Sequence, residues 1–184
     1  GPFEFTEMPF DDLKNYWPDT LMTNARSWIL GNVFDGVLSN FTVDFDIKPG
    51  EIDLVQSGAR PNAIDVDFSF RDATVNYFPE QPYAFGVDGE GHVDGASLSM
   101  NMRDGTIENM YAPSGVALIT DLMLDSAMLT IIANVEGPAD NAISLLDGPR
   151  FGYPSKMGLK GEQFSGHVIA EMGVQLPFRS DVTF

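Results

Sequence analysis

Apolar and polar residues alternate with a period of two through most of this 184-residue chain. In "FTVDFDI", Phe41, Val43, Phe45 and Ile47 alternate with Thr42, Asp44 and Asp46. "IDVDFSF" repeats the pattern, with Ile64, Val66, Phe68 and Phe70 against Asp65, Asp67 and Ser69. "SLSMNM" sets Leu98, Met100 and Met102 against Ser97, Ser99 and Asn101. The same alternation runs through "TVNYF", "GVALITDLML", "AMLTIIANV" and "HVIAEMGVQL". Such stretches are strand signals, and their number predicts about eight to ten strands in a large, mostly antiparallel sheet. The connectors are short: "KPGE", "RDA", "FPEQP", "DGA", "RDG" and "LDS". Asp94-Gly95 and Asp104-Gly105 suit tight hairpin turns that need positive φ, and their spacing matches one strand plus one turn. "SGARPN" (57–62) reads as a flexible loop.

Two segments break this rhythm. In "WPDTLMTNARSWILGN", Leu21, Ala25, Trp28 and Ile29 share one face of a 3.6-residue period, which predicts a helix of roughly three turns. Asp19 or Thr20 is placed to cap its start, and Gly31 to end it in the left-handed region. "VEGPADNAISLLDGP" predicts a short helix of roughly two turns, with Pro138 in its first turn and Gly148-Pro149 as its stop.

Charge narrows the partners. There are 27 acidic and 10 basic residues, a formal net charge of −17. Binding nucleic acid needs clustered Lys and Arg, so it is excluded as a partner, and docking on an anionic membrane is disfavoured. The absence of cysteine removes disulfides and thiol chemistry. No apolar run is long enough to span a membrane as a helix. Gly1-Pro2 has the look of a cleaved tag, so residues 1–6 are expected to be a tag or vector remnant. Residues 7–184 are expected to be one module of a longer chain.

The densest candidate for chemistry is "VDGEGHVDGASLSMNMRDGTI" (87–107), where Asp88, Glu90, His92 and Asp94 fall at every second position. A calcium loop of the EF-hand kind needs Gly at its sixth position and Glu at its twelfth. Counting from Asp88, those positions are Val93 and Ser99. A strand accounts for the residues better: Phe85, Val87 and Val93 on one face with Gly89 and Gly91, the acids and His92 on the other. His92 and His167 share no metal-ligand spacing. The pairs Asp44/Asp46, Asp65/Asp67 and Asp88/Glu90 lie opposite the apolar residues and read as solvated rather than catalytic. Asn40-Phe41-Thr42 is formally a glycosylation sequon. No nucleophile elbow or phosphate-binding loop is present. No catalytic residue, metal or cofactor is therefore assigned, and the chain is not expected to be an enzyme.

What remains is apolar surface. Nine strands about 4.8 Å apart span roughly 40 Å, and two helices about 10 Å wide and under about 18 Å long shelter only part of one face. The rest must close on itself as a sandwich or barrel, join a neighbouring module, or accept an apolar ligand. Nine methionines suit either a plain core or an adaptable lining.

The helix "YWPDTLMTNARSWILGNV", the glycine-punctuated run at 87–107 and "VEGPADNAISLLDGP" occur in an order that resembles AsmA-like proteins of the Gram-negative envelope. The YhdP type is nearest and TamB more distant, over residues 16 to 178. This resemblance implies a mainly β fold: a large curved antiparallel sheet, groove-like or an open half-barrel, with one N-terminal and one short internal helix. It also implies a periplasmic location, a parent protein anchored in the inner membrane, and movement of phospholipid toward the outer membrane. Phospholipid acyl chains and neighbouring modules of the parent chain would be the partners. Phe41, Val43, Phe45, Ile64, Val66, Phe68, Val87, Leu98, Met100 and Met102 would line the groove. The alternative is a structural, partner-binding β domain without ligand.

Overall fold

The structure is a computed structural model, and it describes residues 3–57, 63–78, 80–122, 124, 126–148 and 152–177. The loop expected at 57–62 lies almost wholly outside these residues.

Among the described residues, nine strands form one open antiparallel sheet. They are β1 (Phe3–Pro9), β2 (Val33–Phe34), β3 (Val37–Phe45), β4 (Ile64–Val75), β5 (Ala84–Val93), β6 (Leu98–Ile107), β7 (Met110–Thr120), β8 (Met128–Pro138) and β9 (His167–Pro177). From β3 to β9 each strand pairs with the next in sequence; β1 flanks β3, and β2 pairs with the end of β4. Residues 3–6, expected to be a tag or vector remnant, lie within β1, with Glu4 opposite Thr42. The curved, mainly β sheet expected from the sequence is the one observed.

The curvature has a local cause. One residue in each of four consecutive strands takes positive φ: Asn40 in β3, Asp72 in β4, Gly86 in β5 and Asp104 in β6. Pairing of β4 shifts register on both its sides. Bulges of this kind bend a strand and increase its twist. They also explain two corrections. "RDA" is not a connector, because β4 runs straight through it, and Asp72 there donates its N–H to Asp88 Oδ1 (2.8 Å). Asp104-Gly105 is not a hairpin turn either. The hairpin is Glu108-Asn109, between the paired Ile107 and Met110, while Asp104 sits inside β6. Positive φ serves a bulge as well as it serves a turn. "TVNYF" likewise splits: Thr74 and Val75 end β4, and Asn76–Phe78 lie in the loop after it.

The extra residue at Gly86 also inverts the face of what precedes it. Ala84 and Val87 are buried, whereas Phe85 is 52% exposed on the acidic side, not on the apolar side with Val87 as the alternation predicted.

Among the described residues, four α-helices accompany the sheet: α1 (Thr23–Asn32), α2 (Ile52–Gln56), α3 (Ala139–Leu146) and α4 (Tyr153–Lys156). α1 starts later than expected, so Leu21 precedes it. Its N-terminal cap is Met22 in the left-handed region, with no side-chain cap, and Gly31 is helical. Chain geometry sets the C-terminal end: Val33 turns directly into β2 and pairs with Val75. α3 matches its sequence pattern and buries Leu145. α2 is too short to show a period, yet Val55 is 1% exposed in the core.

Candidate functional site

The apolar side of the sheet is not sealed. Between it and the segment from Phe10 to Val33 lies a trough of about 640 Å³, the volume of roughly twenty water molecules at about 30 Å³ each. Its floor comes from every strand from β3 to β9, and its roof from Leu13, Trp17, Leu21, Met22, Ala25, Trp28 and Ile29.

The roof is held by its own polar contacts. Arg26 of α1 reaches back along the chain, donating from Nε to the Trp17 carbonyl (2.9 Å) and from Nη2 to that of Lys14 (3.4 Å). The Trp17 indole N–H donates to the Leu21 carbonyl (2.8 Å), closing a compact loop ahead of the helix. Ala25, next to Arg26, is almost fully buried and Trp28 nearly so. The run Ala25-Arg26-Ser27-Trp28 thus has a physical reading: a small residue facing the core, an arginine tying down the Trp17 loop, and an aromatic over the trough.

All the residues expected to line a groove reach it: Phe41, Val43, Phe45, Ile64, Val66, Phe68, Val87, Leu98, Met100 and Met102. They differ in depth. Val43, Ile64, Val87 and Leu98 are buried, and Phe45, at 54% exposure, stands at the rim. The others are half-buried. Sequence reading missed the far wall, Ala117, Leu129, Ile131, Ala133, Val135, Met172 and Val174, although the alternation in "GVALITDLML", "AMLTIIANV" and "HVIAEMGVQL" carries that signal. It also missed Tyr77, whose loop placement no period reveals. Burial, with a smaller contribution from Glu108, pushes the Tyr77 phenol up to about 12. Both tryptophans of the chain, Trp17 and Trp28, line the trough.

The other face is acidic. Asp65, Asp67, Glu90 and His92 project there from β4 and β5. His92 lies directly opposite Asp67 in the register and donates from Nδ1 to its Oδ1 (2.9 Å). This bond, opposed by desolvation and reinforced by Asp65, Asp67 and Asp94, raises the His92 pKa above that of a free histidine. Asp94 caps the turn that follows, its Oδ1 accepting from the N–H groups of Ala96 and Ser97. The alternating acids of 87–94 are therefore strand and turn residues. His167 is an exposed residue of β9, opposite Pro138.

Among the described residues no helix is long and apolar enough to cross a membrane. No curated protein and no solved structure matches the chain. The family described as YhdP protein does match, over residues 3–183. That span takes in every strand of the sheet and the whole roof of the trough, and on it the chain belongs to the YhdP family of AsmA-like envelope proteins.

Proposed function

We propose that the trough holds the acyl part of a phospholipid, in a periplasmic protein that moves lipid between membranes without catalysing a reaction on it. One observation carries this reading: an apolar hollow of about 640 Å³ that the protein's own helices roof but do not fill. Water gains few hydrogen bonds on such a lining, so an apolar guest is favoured by roughly 25 cal/mol for each Å² of its surface removed from water. Met22, Met100, Met102 and Met172 line the trough, and their unbranched thioethers adapt to chains of differing length and unsaturation. The mechanism is passive: acyl chains slide along the trough while head groups stay near the rim at Phe45 and Tyr16.

The test uses the intrinsic tryptophans. A brominated acyl chain seated in the trough quenches Trp17 and Trp28 fluorescence, saturably and in competition with unlabelled phospholipid. Extraction and mass analysis of the purified protein identifies the natural guest. Absence of both quenching and co-purified lipid overturns the reading.

A structural role has one observation in its favour. Among the described residues β1 and β9 each leave one edge unpaired in the sheet order, and open edges accept further strands. Under that role, polar substitutions at Phe45 and Phe68 unfold the protein without changing lipid content.

A further inference from the structure

We propose that the acidic outer face carries a binding site for a divalent transition ion of the Zn²⁺ class, built on His92 and Asp65 and oriented by Asp67. β4 projects Asp65 and Asp67 two residues apart, and β5 sets His92 opposite Asp67. In the neutral imidazole, the form that binds a metal, the Nδ1–H bond to Asp67 leaves Nε2 as the nitrogen with a free lone pair. That nitrogen lies 3.9 Å from Asp65 Oδ2. Zn²⁺ holds nitrogen and oxygen ligands at about 2.0–2.2 Å, which puts tetrahedral neighbours roughly 3.4 Å apart. The two donors therefore stand near the required separation before any ion arrives, and the ligand atoms of all three residues fall within 4.8 Å of one another.

A carboxylate accepting the far ring N–H of a ligating histidine is the arrangement that fixes tautomer and ring orientation at metal centres. Here Asp67 occupies that place. The frame is rigid, because both strands lie inside the sheet with partners on either side. Charge favours the ion as well: Asp44 stands opposite Asp65 on β3, a further carboxylate next to the pair, in a chain of net charge −17. A divalent cation relieves the mutual repulsion of these acids, and solvent supplies its remaining ligands at this half-exposed position.

The test is calorimetric titration of the EDTA-stripped protein with Zn²⁺. One equivalent is expected to bind saturably. His92→Ala should abolish that binding and His92→Gln should not restore it. Asp67→Asn should weaken it about 10- to 100-fold, the usual cost of a lost orienting partner. His167→Ala should leave it unchanged. Circular dichroism in EDTA checks that each variant stays folded, as expected for exposed side chains. Unsaturable binding, or an affinity that survives His92→Ala, overturns the site.

Discussion

Phe68 lays its ring across Gly91 of the neighbouring strand, so that a Cβ added at Gly91 would stand 2.2 Å from the ring's Cζ. Phe70 does the same to Gly89, at 2.5 Å. The glycines of "DGEGH" are therefore the bed on which two aromatic rings of the trough floor lie, and the Phe68 and Phe70 rings themselves meet at 6.2 Å. Gly91→Ala should force the Phe68 ring up into the trough and cost about 1–3 kcal/mol, as overpacking does. Urea denaturation measures this. Adding Phe68→Ala should cancel part of the penalty, because the clash needs both partners.

Filling the trough should separate binding from folding. Ala133 on β8 faces the hollow, and Ala133→Phe puts a ring into space that no side chain occupies. Co-purified lipid and brominated-chain quenching should both fall several-fold. The melting temperature should hold or rise, because the new ring buries apolar surface without displacing a neighbour. A large loss of stability with unchanged lipid content would contradict this.

Arg26 should matter more than an ordinary surface arginine. It donates to the carbonyls of Trp17 and Lys14; the first bond is half-buried and short, the second exposed and long, so together they count for about one charged-donor hydrogen bond, roughly 1.5–3 kcal/mol. Arg26→Ala should lower stability within that range and shift the tryptophan emission as the Trp17 loop loosens. Arg26→Lys should rescue little, since an ammonium cannot reproduce a planar donor fork.

Tyr77 predicts alkaline sensitivity. In the unfolded chain its phenol ionises near pH 10, whereas the folded protein holds the proton to about 12. The contribution is intact below about pH 10, falls as pH rises toward 12, and amounts to at most about 2–3 kcal/mol. Tyr77→Phe should remove this component, and the difference between the two stability–pH curves isolates it.

Much of this molecule was readable from its residues. Period-two alternation marked the strands at Phe41–Phe45, Ile64–Phe70 and Leu98–Met102, and it put the lining residues on one face. That face is set by the pleat alone, which holds wherever a strand stays regular. The failures cluster where it does not. Gly86 turned Phe85 outward, and Asp104-Gly105 made a bulge where a turn was expected, because the local φ is the same in both and only the partner strand distinguishes them. β1 and α2 were missed since each is too short or too mixed to carry a period of its own.

Residue parity alone makes this chain a broad antiparallel sheet with one greasy and one acidic face, since side-chain direction follows it. The assembled fold adds that the greasy face keeps a hollow. That depends on how far bulges in neighbouring strands bend the sheet and how high Arg26 and the Trp17 loop hold α1 above it. It also decided that His92 meets Asp65 and Asp67, a matter of cross-strand register that no single strand encodes.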